Sequence, residues 1–421
     1  MRLTTPLNDL TGDGRVLFGT RVLRLFAYGL LSVILVLYLT KAGLDERQIG
    51  LLLSATLAGD IFVSLAITTR ADRIGRRKML LLGAGLMVFA GLVFASTLCL
   101  PLLFIAAFAG IISPSGNEIG PFLSIEQAAL SQTLSDKKRT GIFAWYHLIG
   151  SFATALGALG GGVLAQLMQN NGIPALNSYR VLVLVYAGLG LLLSLLFLRV
   201  SPEVEVVPAC GASSHVDGVS RLGLHRSRGI VLRLSALFSL DAFAGGFVVQ
   251  SIVAYWFYVR FGVSPVVLGS VFFGANALSG LSALAAAKVA ARIGLINTMV
   301  FTHIPSNVLL VLVPLMPNLE LAILVLMLRF SISQMDVPTR QSYTMAVVTP
   351  EERSAAAGVT SVARSVGAAV SPSLAGLLMA VPALLSVPFF LSGGLKIVYD
   401  LLLYRSFRAH SPREESGREE E

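Results

Sequence analysis

Asp72-Arg73-Ile74-Gly75-Arg76-Arg77-Lys78 is a short basic knot between two long apolar runs. The run before it starts near residue 46 and the run after it ends near residue 99. Each holds the roughly 20 mostly apolar residues needed to cross a bilayer core about 30 Å thick. Lys and Arg concentrate in loops on the cytoplasmic side of a membrane. A basic loop between two such runs therefore marks a tight turn at the inner surface.

The whole chain has the composition this implies. It is 421 residues long, 55% hydrophobic and only 13% charged, with mean hydropathy +0.78. Soluble domains carry about 25% charge, so lipid must be the solvent for most of this surface. The net charge of +9 sits in a few short loops and does not indicate a nucleic-acid partner. Cys99 lies in an apolar run and Cys210 in the polar middle of the chain, which gives neither a disulfide framework nor a metal site. Met1 to Gly14 lacks the pattern of a cleavable signal. No phosphate-binding loop, nucleophile elbow or histidine pair at metal-ligand spacing is present. No cofactor is expected, and the chain does not read as an enzyme.

Twelve apolar segments follow, at about 18–41, 46–69, 78–99, 101–133, 139–168, 180–199, 230–259, 265–290, 295–316, 319–347, 351–380 and 382–405. They predict an all-α membrane protein of two six-helix bundles, residues 1–200 and 230–407. A cytoplasmic linker joins them over 201–229, and a disordered charged tail follows over 408–421. Loops from even to odd segments hold Arg70 to Lys78, Lys137 to Arg139, Arg221 to Arg233, Arg292 and Arg353, while the alternate loops are poor in cations. Both termini are thus expected in the cytoplasm.

The halves repeat. Gly43 and Gly262 lie 219 residues apart, as do Gly50 and Gly269, Lys41 and Arg260, Asp45 and Ser264, and Arg73-Ile74-Gly75 and Arg292-Ile293-Gly294. An offset of 214 pairs Gln127 with Gln341, Arg139 with Arg353 and Thr140 with Ser354. Asp45 with Gln48 predicts a capping box, and Pro265 predicts a helix start. Matches at nearly one offset, falling on loop chemistry, indicate two six-helix halves in the same order.

The loop D-R-x-G-R-R between segments 2 and 3, together with this repeat, resembles the major facilitator superfamily, and the resemblance covers nearly the whole chain. Thr68 stands where the family loop opens on glycine. The resemblance implies two bundles related about an axis along the membrane normal, and a central cavity lined by segments 1, 4, 7 and 10. It also implies alternating access. Segment 5 has Gly157, Gly160, Gly161 and Gly162 but lacks the G-P pair of typical antiporters.

Ionisable groups inside the apolar segments are the candidate site, because each costs about 2.5–3.5 kcal/mol to place at mid-membrane. Segment 4 reads Ser113-Pro114-Ser115-Gly116-Asn117-Glu118-Ile119-Gly120-Pro121, which predicts a broken helix at Glu118. Glu118, Asn117, Asp241, Gln250, Arg329, Gln334, Asp336, Arg24 and Asp60 are candidates for the substrate and proton path. Arg21 and Tyr28 on segment 1 and His147 on segment 5 stand beside them. The alternative is that Glu118, Arg329 and Asp336 pair with one another as structural charges. Tyr255, Trp256 and Tyr258 read as an interfacial belt.

The resemblance implies a gate on the cytoplasmic side made of Asp72, Arg73, Gly75, Arg76, Arg77, Glu126, Arg340 and Arg364. Glu126 and Arg364 form one expected latch. Asp72 is expected to face a capping box, Thr349-Pro350-Glu351-Glu352, at the start of segment 11.

The expected function is secondary transport of a small solute, coupled to protons because carboxylates out of water exchange protons in the physiological range. Glu118 and Asp241 are the first proton candidates, then Asp336 and Asp60. The signature loop favours efflux by antiport, as in drug and metabolite exporters. An importer or uniporter is the alternative within transport, and a non-transporting sensor or partner subunit is the alternative outside it. The chain is expected to act as a monomer in a cell (plasma or inner) membrane.

Overall fold

Side-chain caps and glycine turns set where the long helices begin and end. The computed structural model describes residues 11–118, 120–133, 136–201, 204–205, 227–349 and 352–408. The body of the linker and the charged tail lie outside the described residues. So do the side chains of residues 72, 132–133, 136–141 and 354.

Fifteen α-helices occur among the described residues. The first seven are α1 Gly12–Lys41, α2 Glu46–Ile74, α3 Arg76–Ser96, α4 Leu100–Ala109, α5 Phe122–Thr133, α6 Asp136–Asn170 and α7 Ala175–Phe197. The others are α8 Arg228–Gly246, α9 Gln250–Phe261, α10 Pro265–Ile293, α11 Leu295–Leu312, α12 Leu319–Phe330, α13 Asp336–Ala346, α14 Arg353–Met379 and α15 Val387–Phe407. No strand occurs among the described residues. Among the described residues, ten spans are long and apolar enough to cross a membrane, with α8 and α9 counted together. The remaining two of the twelve predicted segments, 4 and 10, are each split into two shorter helices.

The expected starts occur. Asp45 accepts the N–H of Gln48 at 2.8 Å while the Gln48 side chain accepts the N–H of Asp45 at 3.1 Å, and α10 begins on Pro265. The box expected at Thr349–Glu352 does not cap α14. Glu352 makes no side-chain cap there, and its carboxylate instead accepts the N–H of Ser227 at 2.9 Å, at the start of α8.

Segment 4 breaks where its sequence predicts. The described residues 110–118 and 120–121 leave the helix between α4 and α5, with Gly116 at φ 70 and Gly120 at φ 80, a region that favours glycine. Segments 7 and 10, read as single helices in the sequence, also break, after Gly246 and after Phe330. In segment 10 the chain restarts at Asp336, which leaves Pro338 in the first turn of α13, where its missing N–H costs nothing.

The described chain falls into two compact units. The first comprises Met1–Pro208 and Val249–Ala277, the second Ala209–Val248 and Leu278–Glu421. In the first, α1 packs against α6, α7 and α9, and α3 against α7. In the second, α8 packs against α14 and α15, and α11 against α15 and α13.

The polarity is that of a protein in lipid. Leu51, Phe62, Ile105, Leu191, Phe301 and Leu401 are each more than half exposed, while Arg24, Glu126 and Asp400 are fully buried. Lipid tails are as apolar as leucine, so outward leucines cost nothing. Helices then associate through close contact and internal polar bonds.

Candidate functional site: two buried charge networks

Each unit encloses its own network of ionisable side chains. In the first, Arg24 on α1 is the centre. Its Nε meets Glu118 at 2.8 Å, and its two terminal nitrogens hold the two oxygens of Glu126 at 2.8 and 2.7 Å. Such a bidentate pair fixes direction as well as charge. Glu126 on α5 also accepts from Thr20 at 2.9 Å and from the Tyr146 hydroxyl, so both its oxygens are fully used. Arg21, one turn before Arg24, reaches the second oxygen of Glu118 and the Tyr146 carbonyl, each at 2.8 Å. Two arginines thus balance two glutamates. Glu118 is the more accessible acid, with its side chain 12% exposed against 0% for Glu126.

Asp60 on α2 stands beside this network, with no cation in contact among the described residues. One oxygen accepts the backbone N–H of Gly120 at 2.6 Å and the hydroxyl of Ser64 at 3.0 Å. It therefore ties α2 to the broken stretch that carries Glu118.

In the second unit the centre is Asp241 on α8. Lys396 on α15 holds one oxygen at 2.6 Å, and Arg364 on α14 and Arg340 on α13 hold the other at 3.1 and 3.2 Å. Arg340 also pairs with Asp336 at 3.0 Å, one turn away. His303 on α11 lies between two acids, with Nδ1 2.9 Å from Asp400 and Nε2 4.0 Å from Asp241. Asn307 donates to the other oxygen of Asp400 at 3.0 Å.

The two networks correspond. Arg24 and Glu126 lie on segments 1 and 4, and Asp241 and Arg340 on segments 7 and 10. The halves keep the pair and exchange its signs.

The structure thus brings together Glu118, Glu126 and Arg24 in one network, and Asp241, Asp336, Arg340 and Arg364 in the other. Of the charges weighed as a structural set, Glu118 pairs with Arg21 and Arg24, and Asp336 pairs with Arg340. Arg329 lies against the Phe330 ring at 4.7 Å, and its buried Nε has no hydrogen-bond partner among the described residues. Glu126 spends its bonds on Arg24, and Arg364 spends its bond on Asp241. Gln250 donates to Ser32 at 2.7 Å and accepts from Asn276 at 3.1 Å. The Asn117 side chain is exposed, and Gln334 gives its backbone N–H to Ser282.

In the signature loop, Arg73 is exposed and Gly75 makes the turn at φ 115. The N–H groups of Arg76 and Arg77 point into the Glu205 carboxylate at 2.6 and 3.1 Å. That acid satisfies the open start of α3. The Arg76 and Arg77 side chains reach the carbonyls of Val204 and Leu198. The role expected of the Asp72 side chain lies outside the described residues.

The belt expected at Tyr255 and Trp256 is corrected. Both are buried, because α9 packs on α1 and the Tyr255 hydroxyl bonds Glu46 at 2.6 Å. His303, Lys396, Asp400 and Asn307 were missed in the sequence. Their signal was present: Lys396 and Asp400, like His303 and Asn307, are four residues apart, one helical face inside an apolar run.

Residues 17–372 match the Major Facilitator Superfamily, and the chain belongs to that family. Its fold and family are those of transporters rather than of enzymes, and it is a multi-pass integral membrane protein. It is 30% identical over 417 residues to the uncharacterized membrane protein YJR124C of Saccharomyces cerevisiae, covering 93% of each chain. Among solved structures it is similar to a point mutant of the nucleoside transporter NupG, with TM-score 0.72, 14% identity, and 93% of this chain against 100% of that one. It is also similar to a bacterial homologue of the human lysosomal transporter Spinster, with TM-score 0.66, 16% identity and 92% against 93%. A third is the human organic anion transporter MFSD10, with TM-score 0.62, 19% identity and 94% against 100%.

Proposed function

We propose that this protein is a secondary transporter that carries a small organic solute across a cell membrane by alternating access, coupled to protons, with both termini in the cytoplasm. One observation carries this reading. Each half encloses a carboxylate–guanidinium network anchored on two of the segments that the family resemblance places along the central path, 1 and 4 or 7 and 10, and each network has a member with accessible surface. The Glu118 side chain is 12% exposed and that of Arg364 is 32% exposed. Charges kept only for structure are better saturated and hidden, as Glu126 and Arg24 are. The similar structures carry cargo as different as nucleosides and organic anions, so the shared fold selects no solute.

Proteoliposomes loaded with a pH dye test the reading. Solute-dependent proton movement is expected in the wild type, with loss in Glu118→Gln and Asp241→Asn variants that elute as the wild type does. A folded protein giving no such movement across cationic, anionic and neutral solutes would favour the sensor alternative. The sign gives the mode of coupling. Antiport, favoured by the signature loop and its exporter resemblance, makes the lumen alkaline as solute enters, whereas cotransport makes it acidic.

A further inference from the structure

We propose that the Asp241 network of the second unit is a binding site for a small organic anion, and that His303 takes up the proton that makes it one. The inference rests on the proton-coupled reading above and adds the substrate class and the proton carrier.

The count of charges carries it. Arg340, Arg364 and Lys396 face Asp241, Asp336 and Asp400, three cations against three carboxylates. His303 decides the sign. With a neutral ring the cluster is balanced, and with an imidazolium it holds one surplus positive charge. Arg329 makes no ion pair with this set among the described residues and lies instead against the Phe330 ring. A surplus charge out of water needs a counter-ion, and the described residues offer no fourth acid to the cluster.

The geometry of His303 suits a proton switch. Its two ring nitrogens face carboxylates, Asp400 at 2.9 Å and Asp241 at 4.0 Å. A neutral imidazole has one N–H, so one nitrogen then presents a lone pair to an acid. An imidazolium donates on both sides. The groups around the ring and its two acids are Asp241 from α8, Asn307 from α11, Asp336 and Arg340 from α13, Arg364 from α14, and Lys396, Tyr399 and Asp400 from α15, with Arg329 on the adjoining α12.

The anion would meet Arg364, beside the Lys396–Asp241 pair. Arg364 is the accessible cation of the cluster, at 32% against 8% for Arg340. Its planar fork fits a carboxylate or a phosphate. Lys396 has glycine across from it: a Cβ at Gly245 would stand 3.7 Å from Nζ. Buried oxygens of Ser306, Asn307, Ser371 and Ser392 lack partners among the described residues of the same unit, which is unmet hydrogen-bonding capacity along the interior. In the bound state the solute anion takes Arg364, while Asp241 keeps Lys396 and gains the imidazolium. Proton and anion then occupy the network together, which corresponds to cotransport and departs from the antiport that the signature loop favours.

Thermal shift of the purified full chain at pH 6 and pH 8 tests this, with succinate and glycerol 3-phosphate as anionic probes, choline as cation and glycerol as neutral control. Stabilisation by an anionic probe is expected at pH 6. Its apparent Kd should rise about tenfold per pH unit once the ring is mostly neutral. The His303→Gln variant should flatten that dependence. Arg364→Gln should abolish the stabilisation and Arg364→Lys should restore part of it. Asp400→Asn, which leaves the ring in place, should shift the pH profile if the His303 variant does not fold.

Stabilisation by choline or glycerol alone, an anion effect equal at both pH values, or an unchanged profile in both variants would overturn the proposal. Proton flux driven by a neutral or cationic solute would overturn the anion site and leave the transporter reading standing. Anion stabilisation without flux of any solute would do the reverse.

Discussion

Arg24, fully buried, gives all three guanidinium nitrogens to two glutamates. Removing one partner from such a buried set leaves an uncompensated charge, which costs about 3–5 kcal/mol. Arg24→Met is therefore expected to lower the unfolding midpoint of the detergent-purified protein sharply. Glu126→Gln keeps the shape and most hydrogen bonds and should cost less. A wild-type midpoint for Arg24→Met would show that the network is not structural. At this scale the sequence marks the acids well, because an ionisable residue in an apolar run stands out. It does not mark their partners. Pairing depends on which faces of two helices meet, and attention to segments 1, 4, 7 and 10 left Lys396, Asp400 and His303 on segments 9 and 12 aside.

Two helix pairs show the same device in the two halves. In α1 and α6, a Cβ at Gly29 would stand 2.0 Å from the Thr154 carbonyl, and one at Gly157 2.0 Å from the Phe26 carbonyl. In α8 and α14, a Cβ at Gly246 would stand 2.1 Å from the Ser371 hydroxyl, and one at Gly367 2.3 Å from the Ser239 carbonyl. These backbones touch, as small residues allow in membranes. Gly157→Val and Gly367→Val are expected to destabilise by at least the roughly 1–3 kcal/mol of an overpacked core. Gly188→Val, which meets nothing within 4 Å, should melt as the wild type does. Equal midpoints for all three, read by tryptophan fluorescence, would deny the close contacts. The glycine run of segment 5 was visible in the sequence, but its partner helix was not. The break of segment 4 was legible because two prolines and two glycines crowd nine residues. Those of segments 7 and 10 were not, since Gly245-Gly246 and a short polar run read equally well as continuous helix.

The repeat is the feature that scales from residues to the molecule. Offsets between glycines and arginines in loops announced two matching halves, and the Arg24–Glu126 and Asp241–Arg340 pairs answer each other with signs exchanged. The sign exchange itself lay beyond sequence reading, because the two pairs only become pairs when the helices pack.

Orientation follows from loop charge alone, and the chain carries its own probe for it. Cys99 is a free, exposed thiol between α3 and α4, one crossing beyond the basic loop at Arg73 to Lys78. If that loop is cytoplasmic, α3 carries the chain outward and Cys99 faces the exterior. In a Cys210→Ser background, a membrane-impermeant maleimide added to intact cells should label the protein, and Cys99→Ser should remove the signal. Labelling that appears only after permeabilisation would invert the whole topology. Both termini would then lie outside, against the bias that places Lys and Arg in the cytoplasm.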